Sequence, residues 1–371
     1  MARLDEVELV SLSAQVLRHL AGSPYECSSL ALLGGGSANF VYRGALVSPL
    51  PSGAETVIVK HTTGFLACSL DFKIDVSRCD VEAIMLDAVE GLPFKTPRLL
   101  FFDRENKTQV HEDFPAARTL EPLLVSPKTS RTLATAIGRD LGVCLRSFHD
   151  WASGPVGSNL AGDIECNEPM RQLKFQTTYK TFIGVLERFP GVVDGYREVL
   201  EEVQAMAVEE FARQPSAEDG PSWGVVHGDY WAGNILLIDP PTSDASNNLL
   251  IIDWELSQYG HRAYDLGKMF GDLCEKRFLD ESECVAWVIE GFVEGYGELD
   301  EELAFRTAIH TGTQFIHWCI RRPPNAKLLA TPDRITDAMK LGRDFIVKGW
   351  TKDREWFNGT TLGPLFGFKP L

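Results

Sequence analysis

Residues 227–234 read H-G-D-Y-W-A-G-N, and the apolar run I-L-L-I follows at once. His227, Asp229 and Asn234 stand around two glycines, a mixture that a buried core does not select. A tight loop presenting a base and a metal ligand does select it. The run after the loop has a partner: 235–238 and 249–252 flank D-P-P-T-S-D-A-S-N-N, so a hairpin is predicted. The second run, L-L-I-I-D-W-E, ends on Asp253 and Glu255, which share one face if the strand continues. The hairpin brings Asn234 near Asp253, and amide and carboxylate oxygens around one point suit Mg²⁺. Asp229 is then free to accept a proton from a hydroxyl, a role worth about 10²–10⁴-fold. Singly, Asp229 reads equally well as a helix N-cap and Asp253 as a turn residue. Their joint occurrence with Asn234 is what points to chemistry.

Two features lie upstream. G-G-G-S-A-N, residues 34–39, falls between apolar segments that read as strand, turn, strand. Glycines let backbone N–H groups approach an anion, and such a nest binds phosphate. T-V-I-V-K is a β-branched strand ending on Lys60. A lysine there is costly unless it is paired, and Glu82 on the following helix is the natural partner. Taken alone, Lys60 also reads as a strand end in solvent. A phosphate cradle, a lysine held by a glutamate, a base and an amide–carboxylate metal site are the parts of a phosphoryl-transfer machine. Asn234 follows Asp229 by five residues, as in the kinase plan.

The rest of the chain fits an α/β (α+β) reading in two parts. Residues 4–21 carry Leu9, Leu12, Val16 and Leu20 at helical spacing. Residues 61–75 lack periodicity and read as a loop. Residues 77–89 are helical through Val81, Ile84, Met85 and Ala88, and 97–102 and 108–112 read as strands. Residues 1–115 are therefore expected to form a small sheet lobe with one helix within it, and 116–371 a larger helical lobe. In the second lobe 133–151 is a helix, and 152–170, rich in Gly, Asn and Asp, is a loop. Residues 175–212 hold at least two helices, and 264–350 is helical again.

Composition narrows the function class. The 371 residues carry 36 basic and 52 acidic side chains, a net charge of −16, which opposes binding to nucleic acid or to an anionic membrane. The eight cysteines include no C-x-x-C pair, so neither a zinc site nor a redox motif is suggested. Acids occupy the N-terminus where a signal peptide would be basic, and no apolar run approaches the ~18 residues of a membrane span. A cytoplasmic protein is expected.

H-G-D-x-x-x-x-N followed by I-I-D-W-E resembles the signature of the aminoglycoside phosphotransferase/choline kinase family of small-molecule kinases, which share the protein-kinase-like two-lobed fold. G-G-G-S-A-N-F-V-Y-R, V-I-V-K and Q-V-H-E-D-F resemble 5-methylthioribose kinase. D-F-K-I-D-V-S-R and D-W-E-L-S-Q-Y-G resemble fungal members, including 4-hydroxytryptamine kinase. The amide at Asn234 is closer to the wider phosphotransferase pattern than to methylthioribose kinases.

The resemblance implies an ATP- and Mg²⁺-dependent transfer of the γ-phosphoryl group to a hydroxyl of a small metabolite: an amino alcohol, an amine-bearing alcohol or a sugar. It implies that Asp229 is the base, and that Asn234, Asp253 and Glu255 hold Mg²⁺. It further implies that Lys60, held by Glu82, meets the α/β-phosphates and that Gly34, Gly35, Gly36, Ser37 and Asn39 cover them. Glu112, Asp113 and Phe114 form a hinge for adenine. Tyr230, Trp231, Trp318, Arg321 and Arg322 are candidates to meet the acceptor. Arg321 and Arg322 end a helical stretch, where basic residues suit the helix dipole without any ligand. His227 and Asp265 read as braces of the loop, and Trp254 reads equally as core. A protein kinase is the rival enzyme, opposed by H-G-D in place of H-R-D and by Trp-Glu after Asp253. An inactive nucleotide-binding scaffold is opposed by the filling of every catalytic position.

Overall fold

Asp5 starts the first helix. Its carboxylate accepts the Glu8 N–H at 2.8 Å, and the Glu8 carboxylate accepts the Asp5 N–H at 2.8 Å, a reciprocal cap for α1 (Glu6–Leu20). The computed structural model describes residues 3–34, 36–216, 218–238, 248–320 and 331–369. The strands β1 (Cys27–Leu32), β2 (Phe40–Leu46), β3 (Thr56–His61), β4 (Phe65–Leu66) and β5 (Ser69–Lys73) follow α1. Then come α2 (Arg78–Ala88), β6 (Leu99–Asp103) and β7 (Thr108–Glu112). Five of these strands form one antiparallel sheet in the order β1-β2-β3-β7-β6. One face of the sheet buries Phe40, Tyr42, Val57, Val59 and Val110 beneath Val16 and Leu20 of α1. Burying each such side chain stabilises by roughly 1.5–3 kcal/mol.

The expected loop at 61–75 contains the β4–β5 hairpin. Its turn supports the glycine stretch: the Cys68 N–H bonds Ser37 O at 3.1 Å and the Ala67 N–H bonds Ala38 O at 3.4 Å. The apolar face of α2 lies outside the sheet's core. Val81, Met85, Leu86 and Val89 join the larger cluster that fills the helical part, so α2 fastens the two parts together.

The helical part contains α3 (Glu121–Leu124), α4 (Arg131–Ala152), α5 (Pro155–Asp163), α6 (Glu168–Lys174), α7 (Phe182–Leu186) and α8 (Arg197–Ala212). The expected loop at 152–170 is therefore mostly helical, with Pro155 in the first turn of α5. A π-turn, Phe175–Tyr179, follows α6. Next come β9 (Trp223–Val226), β10 (Ile235–Leu237), β11 (Leu249–Ile251) and β12 (Gln258–His261), with β8 (Arg118–Thr119) paired to β10. The predicted hairpin is present as β10–β11, and β9 pairs with β12. There follow α9 (Ala263–Leu279), α10 (Cys284–Tyr296), α11 (Glu301–Ile320) and α12 (Pro332–Trp350), and then two 3-10 turns, Arg354–Phe357 and Gly363–Phe366.

Helices α4 and α10 interlock through glycines. A Cβ on Gly138 would lie 2.0 Å from Val288 O, and one on Gly295 would lie 2.0 Å from Arg139 O. Any side chain at these crossings would force the helices apart. Among the described residues no helix is long and apolar enough to cross a membrane.

Candidate active site

A cleft of about 550 Å³ separates the sheet from the helical part. Alternation along β3 sends Val57 and Val59 into the sheet's core and turns Ile58 and Lys60 toward the cleft. The Lys60 ammonium lies 2.8 Å from Glu82 on α2, 2.5 Å from Asp253 and 3.7 Å from Glu255. Burial alone would lower its pKa, but the three carboxylates outweigh burial and raise it. Glu82 and Glu255 are both pushed up, first by burial and then by their acidic neighbours.

Glu255 also meets the guanidinium of Arg78 at 3.3 Å. Three carboxylates thus face two cations, leaving one surplus negative charge. Oxygens of Glu82, Asp253 and Glu255 lie within 4.8 Å of one another. Glu82 and Asp253 both line the cleft, and of the three carboxylates Asp253 is the most exposed. Asn234 spends its amide N–H groups on Asp229, so its amide oxygen is the group left for a cation. The Asn234 carbonyl accepts the Ile252 N–H at 3.1 Å, which holds Asn234 beside Asp253. The donor set is oxygen only and locally anionic, as Mg²⁺ requires.

Asp253 and Glu255 converge for a reason other than strand alternation. β11 stops at Ile251, Asp253 takes a left-handed backbone (φ 69°, ψ 59°), and Glu255 sits in a 3-10 turn. The turn sends Glu255 inward. Its Oε2 accepts Asn39 Nδ2 at 2.6 Å. Asn39 lines the cleft too, but its side chain is buried and engaged: its Oδ1 accepts Arg78 Nη2 at 2.9 Å and the Thr62 hydroxyl at 3.0 Å. Arg78, fully buried, also donates to Asp75 O at 2.6 Å and to Thr63 O and Ala38 O. It ties the glycine stretch to the carboxylate cluster around Lys60.

Gly34, Gly36 and Ser37 line the cleft, and Gly35 lies outside the described residues. Glu112, Asp113 and Phe114 border it at the far end. The Glu112 carboxylate accepts Arg98 at 3.2 Å, and that of Asp113 accepts Arg43 Nε at 2.8 Å and the Thr56 hydroxyl at 2.7 Å. The Glu112 N–H is engaged as well, donating to Arg98 O at 2.9 Å.

The loop of residues 227–234 is fixed from beneath. Gly228 has φ 81°, and a Cβ there would fall 2.0 Å from Leu256 O, so only glycine fits. The Asp265 carboxylate accepts the His227 N–H at 2.8 Å and the Gly228 N–H at 2.9 Å. It also accepts His149 Nε2 at 3.2 Å. Burial would raise Asp265, but these donors hold it below the ordinary carboxylate range. His227 is a brace: Nε2 donates to Ile252 O at 3.1 Å, and Nδ1 accepts the Asp229 N–H at 3.2 Å.

Asp229 is surrounded by donors. Lys268 Nζ lies 2.9 Å from Oδ1. Oδ2 accepts Trp231 Nε1 at 3.1 Å and Asn234 Nδ2 at 2.9 Å. Burial would raise its pKa, but the charges of Lys268 and Lys174 bring it down to about 2. An ionised, oriented carboxylate facing the cleft can accept a hydrogen bond from a hydroxyl and direct its oxygen.

Lys268 was not read from the sequence. Asp265, Lys268 and Asp272 lie at i, i+3 and i+7 on α9, one face of the helix. Asp272 accepts the Ala232 N–H at 3.2 Å, so all three serve the loop. That spacing was the available signal.

Of the acceptor candidates, Trp231 and Trp318 come together, with ring centroids 4.7 Å apart and Lys268 Nζ 4.7 Å from the Trp318 ring. Tyr230 does not join them. Its ring is buried and its hydroxyl donates to Leu141 O at 3.1 Å, because the loop turns it into the helical core. Trp254 is core as well, 5.1 Å from Phe148. Arg321 and Arg322 lie outside the described residues.

The model of the phosphotransferase enzyme family (APH) matches residues 47–305. The chain is 34% identical over 388 aligned positions to phosphotransferase FrzJ of Cladobotryum sp, covering 97% of this chain and 98% of that one. It is 26% identical over 264 positions to 4-hydroxytryptamine kinase of Psilocybe cyanescens, covering 67% of this chain and 68% of the other. A choline/ethanolamine kinase family protein from Mesorhizobium loti has the same fold, with a TM-score of 0.52 at 16% identity over 93% of this chain and 99% of that chain.

Proposed function

The chain belongs to the phosphotransferase enzyme family, and on that premise we propose that it moves the γ-phosphoryl group of ATP to a hydroxyl of a small metabolite. The observation that carries this reading is the gathering of Lys60–Glu82, Asp253, Asn234 and Asp229 along one cleft. On this reading residues 1–115 hold the nucleotide and 116–371 the acceptor. Gly34, Gly36 and Ser37 shield the phosphates, and Lys60 leaves Asp253 to meet their oxygens. Asn234 and Asp253 hold Mg²⁺, which when bound draws charge off the phosphate oxygens. Glu255 supports them through Asn39 and Arg78. Asp229, kept ionised by Lys268, orients the acceptor hydroxyl and takes its proton. Trp231 and Trp318 flank the acceptor, for which amine-bearing alcohols and sugars are the classes to test. The name of the 4-hydroxytryptamine kinase relative supports the first. We place the protein in the cytoplasm.

The test is ADP release from Mg²⁺–ATP across a panel of amino alcohols, hydroxylated aromatic amines and sugars. At least one acceptor should stimulate release, and Asp229→Ala should lower it by about 10²–10⁴-fold while nucleotide still binds. A nucleotide-induced rise in melting temperature with no stimulation by any acceptor would establish a scaffold instead.

A further inference from the structure

The purine end of the cleft contains a polar atom with a fixed role. Gln109 and His111 alternate along β7 and share the face that carries Lys60 and Ile58, their partners on β3. Val110 between them enters the sheet's core. Gln109 Nε2 lies 2.8 Å from Cys79 O on α2. A carbonyl only accepts, so this end of the amide is its NH₂, and the other end is the oxygen. That oxygen lies 3.2 Å from His111 Nε2. An amide oxygen only accepts, so Nε2 carries the imidazole's hydrogen. Nδ1 is then a bare lone pair.

His111 stays neutral: burial and then the charge of Lys60 press its pKa down to about 3. Nδ1 has no partner among the described residues, yet it is not one of the sealed, unpartnered buried atoms. The ring lines the cleft beside Ile58, Pro97 and Glu112, so this lone pair opens there.

Resting on the nucleotide reading above, we propose that His111 selects the purine: its Nδ1 accepts a hydrogen bond from the exocyclic amine of adenine and repels guanine. Adenine presents an N6 donor where guanine presents an O6 acceptor. Two acceptors facing each other in a desolvated cleft leave both unpaired. The selectivity is set by a relay of three groups, the Cys79 carbonyl, the Gln109 amide and the His111 imidazole, and only the last meets the base.

The experiment is calorimetric titration of the full chain with Mg²⁺ and non-hydrolysable analogues of ATP and GTP. The adenine analogue should bind at least ~10-fold more tightly, the margin of one hydrogen bond made against one refused. His111→Leu should narrow that ratio at least fivefold. Gln109→Leu should also narrow it, because the imidazole is then free to carry its hydrogen on Nδ1 and donate to O6. Equal affinity for the two analogues in the unaltered protein would overturn the inference and leave phosphotransfer standing. So would an unchanged ratio in a folded Gln109→Leu or His111→Leu variant. Binding of neither analogue would overturn both.

Discussion

The two ends of the cleft hold charge in opposite ways. At Lys60, carboxylates from α2 and from the turn after β11 crowd one ammonium, and Glu82 and Glu255 are pushed up. At Asp229, a single carboxylate is wrapped by Lys268, Trp231 and Asn234 and is held at about 2. The first end has negative charge to spare for a cation. The second has positive charge to spare, and keeps its acid ionised at any physiological pH. Phosphoryl transfer needs both, a cation at the phosphates and a fixed acceptor for the hydroxyl proton. The difference shows that a carboxylate's role is set by what faces it.

Acid should separate the ends most strongly. His61, His111, His149, His227, His261 and His310 are buried, and burial is the first cause lowering each from 6.5. An unfolded chain binds protons at these rings before the folded one does. Their stabilisation is therefore complete above about 6.5 and is lost as pH falls below it, at about 1.4 kcal/mol per ring per pH unit. Glu82 and Glu255, with raised pKa, act in the other direction, but two groups do not offset six. Unfolding in urea should become much easier between pH 7 and pH 5.5, well above the carboxylate range. Hydrogen exchange at pH 5.5 should expose the loop resting on His227 and His149 before β3, where the two glutamates oppose the loss. Simultaneous loss at both ends would break the comparison.

Removing the cation at each end gives the next effect. Lys60→Met leaves Glu82, Asp253 and Glu255 facing Arg78 alone, and should cost about 3–5 kcal/mol in urea unfolding. Mg²⁺ should raise its melting temperature more than that of the unaltered protein, since the surplus negative charge has grown. Lys268→Met leaves one carboxylate with two neutral donors and the charge of Lys174, and should cost about 1–3 kcal/mol. Its turnover should fall by up to about 10²-fold through lost orientation. If Lys268→Met destabilised as much as Lys60→Met, the contrast in charge would be wrong.

The parts legible in sequence were those written in residue type and short spacing. Lys60, Glu82, Asp229, Asn234 and Asp253 were expected in one cleft and lie there. The β10–β11 hairpin, α4 and the strands around Lys60 followed from periodicity. What escaped was written in tertiary contact. β4 has two residues, too few to alternate. α5 is P-V-G-S-N-L-A-G-D, whose glycines oppose a helix until packing against β9 imposes it. Lys268 escaped because the spacing of Asp265, Lys268 and Asp272 is that of an ordinary solvated stripe on α9, whereas all three are buried against the loop. Arg78 opens α2, a place where arginine is ordinarily solvated, yet it is fully buried. Tyr230 and Asn39 have polar groups suited to a ligand, but side-chain chemistry alone does not say which way a loop residue turns.

The smallest effect tests whether Asp229 is held by its surroundings as a set. Trp231→Phe keeps a ring against Trp318 and removes only the Nε1–H that reaches Asp229 Oδ2. Asn234 still donates to the same oxygen and Lys268 to the other. One neutral hydrogen bond lost among three should cost about 1 kcal/mol, or about fivefold in single-turnover rate at saturating nucleotide and acceptor. KM for the acceptor should hardly move if the indole's part is to steady the carboxylate. A rise in KM with the rate unchanged would mean that Trp231 meets the acceptor through its N–H. Asp229 would then be steadied chiefly by Lys268 and Asn234, and the catalytic end would depend on charge even more than the nucleotide end does.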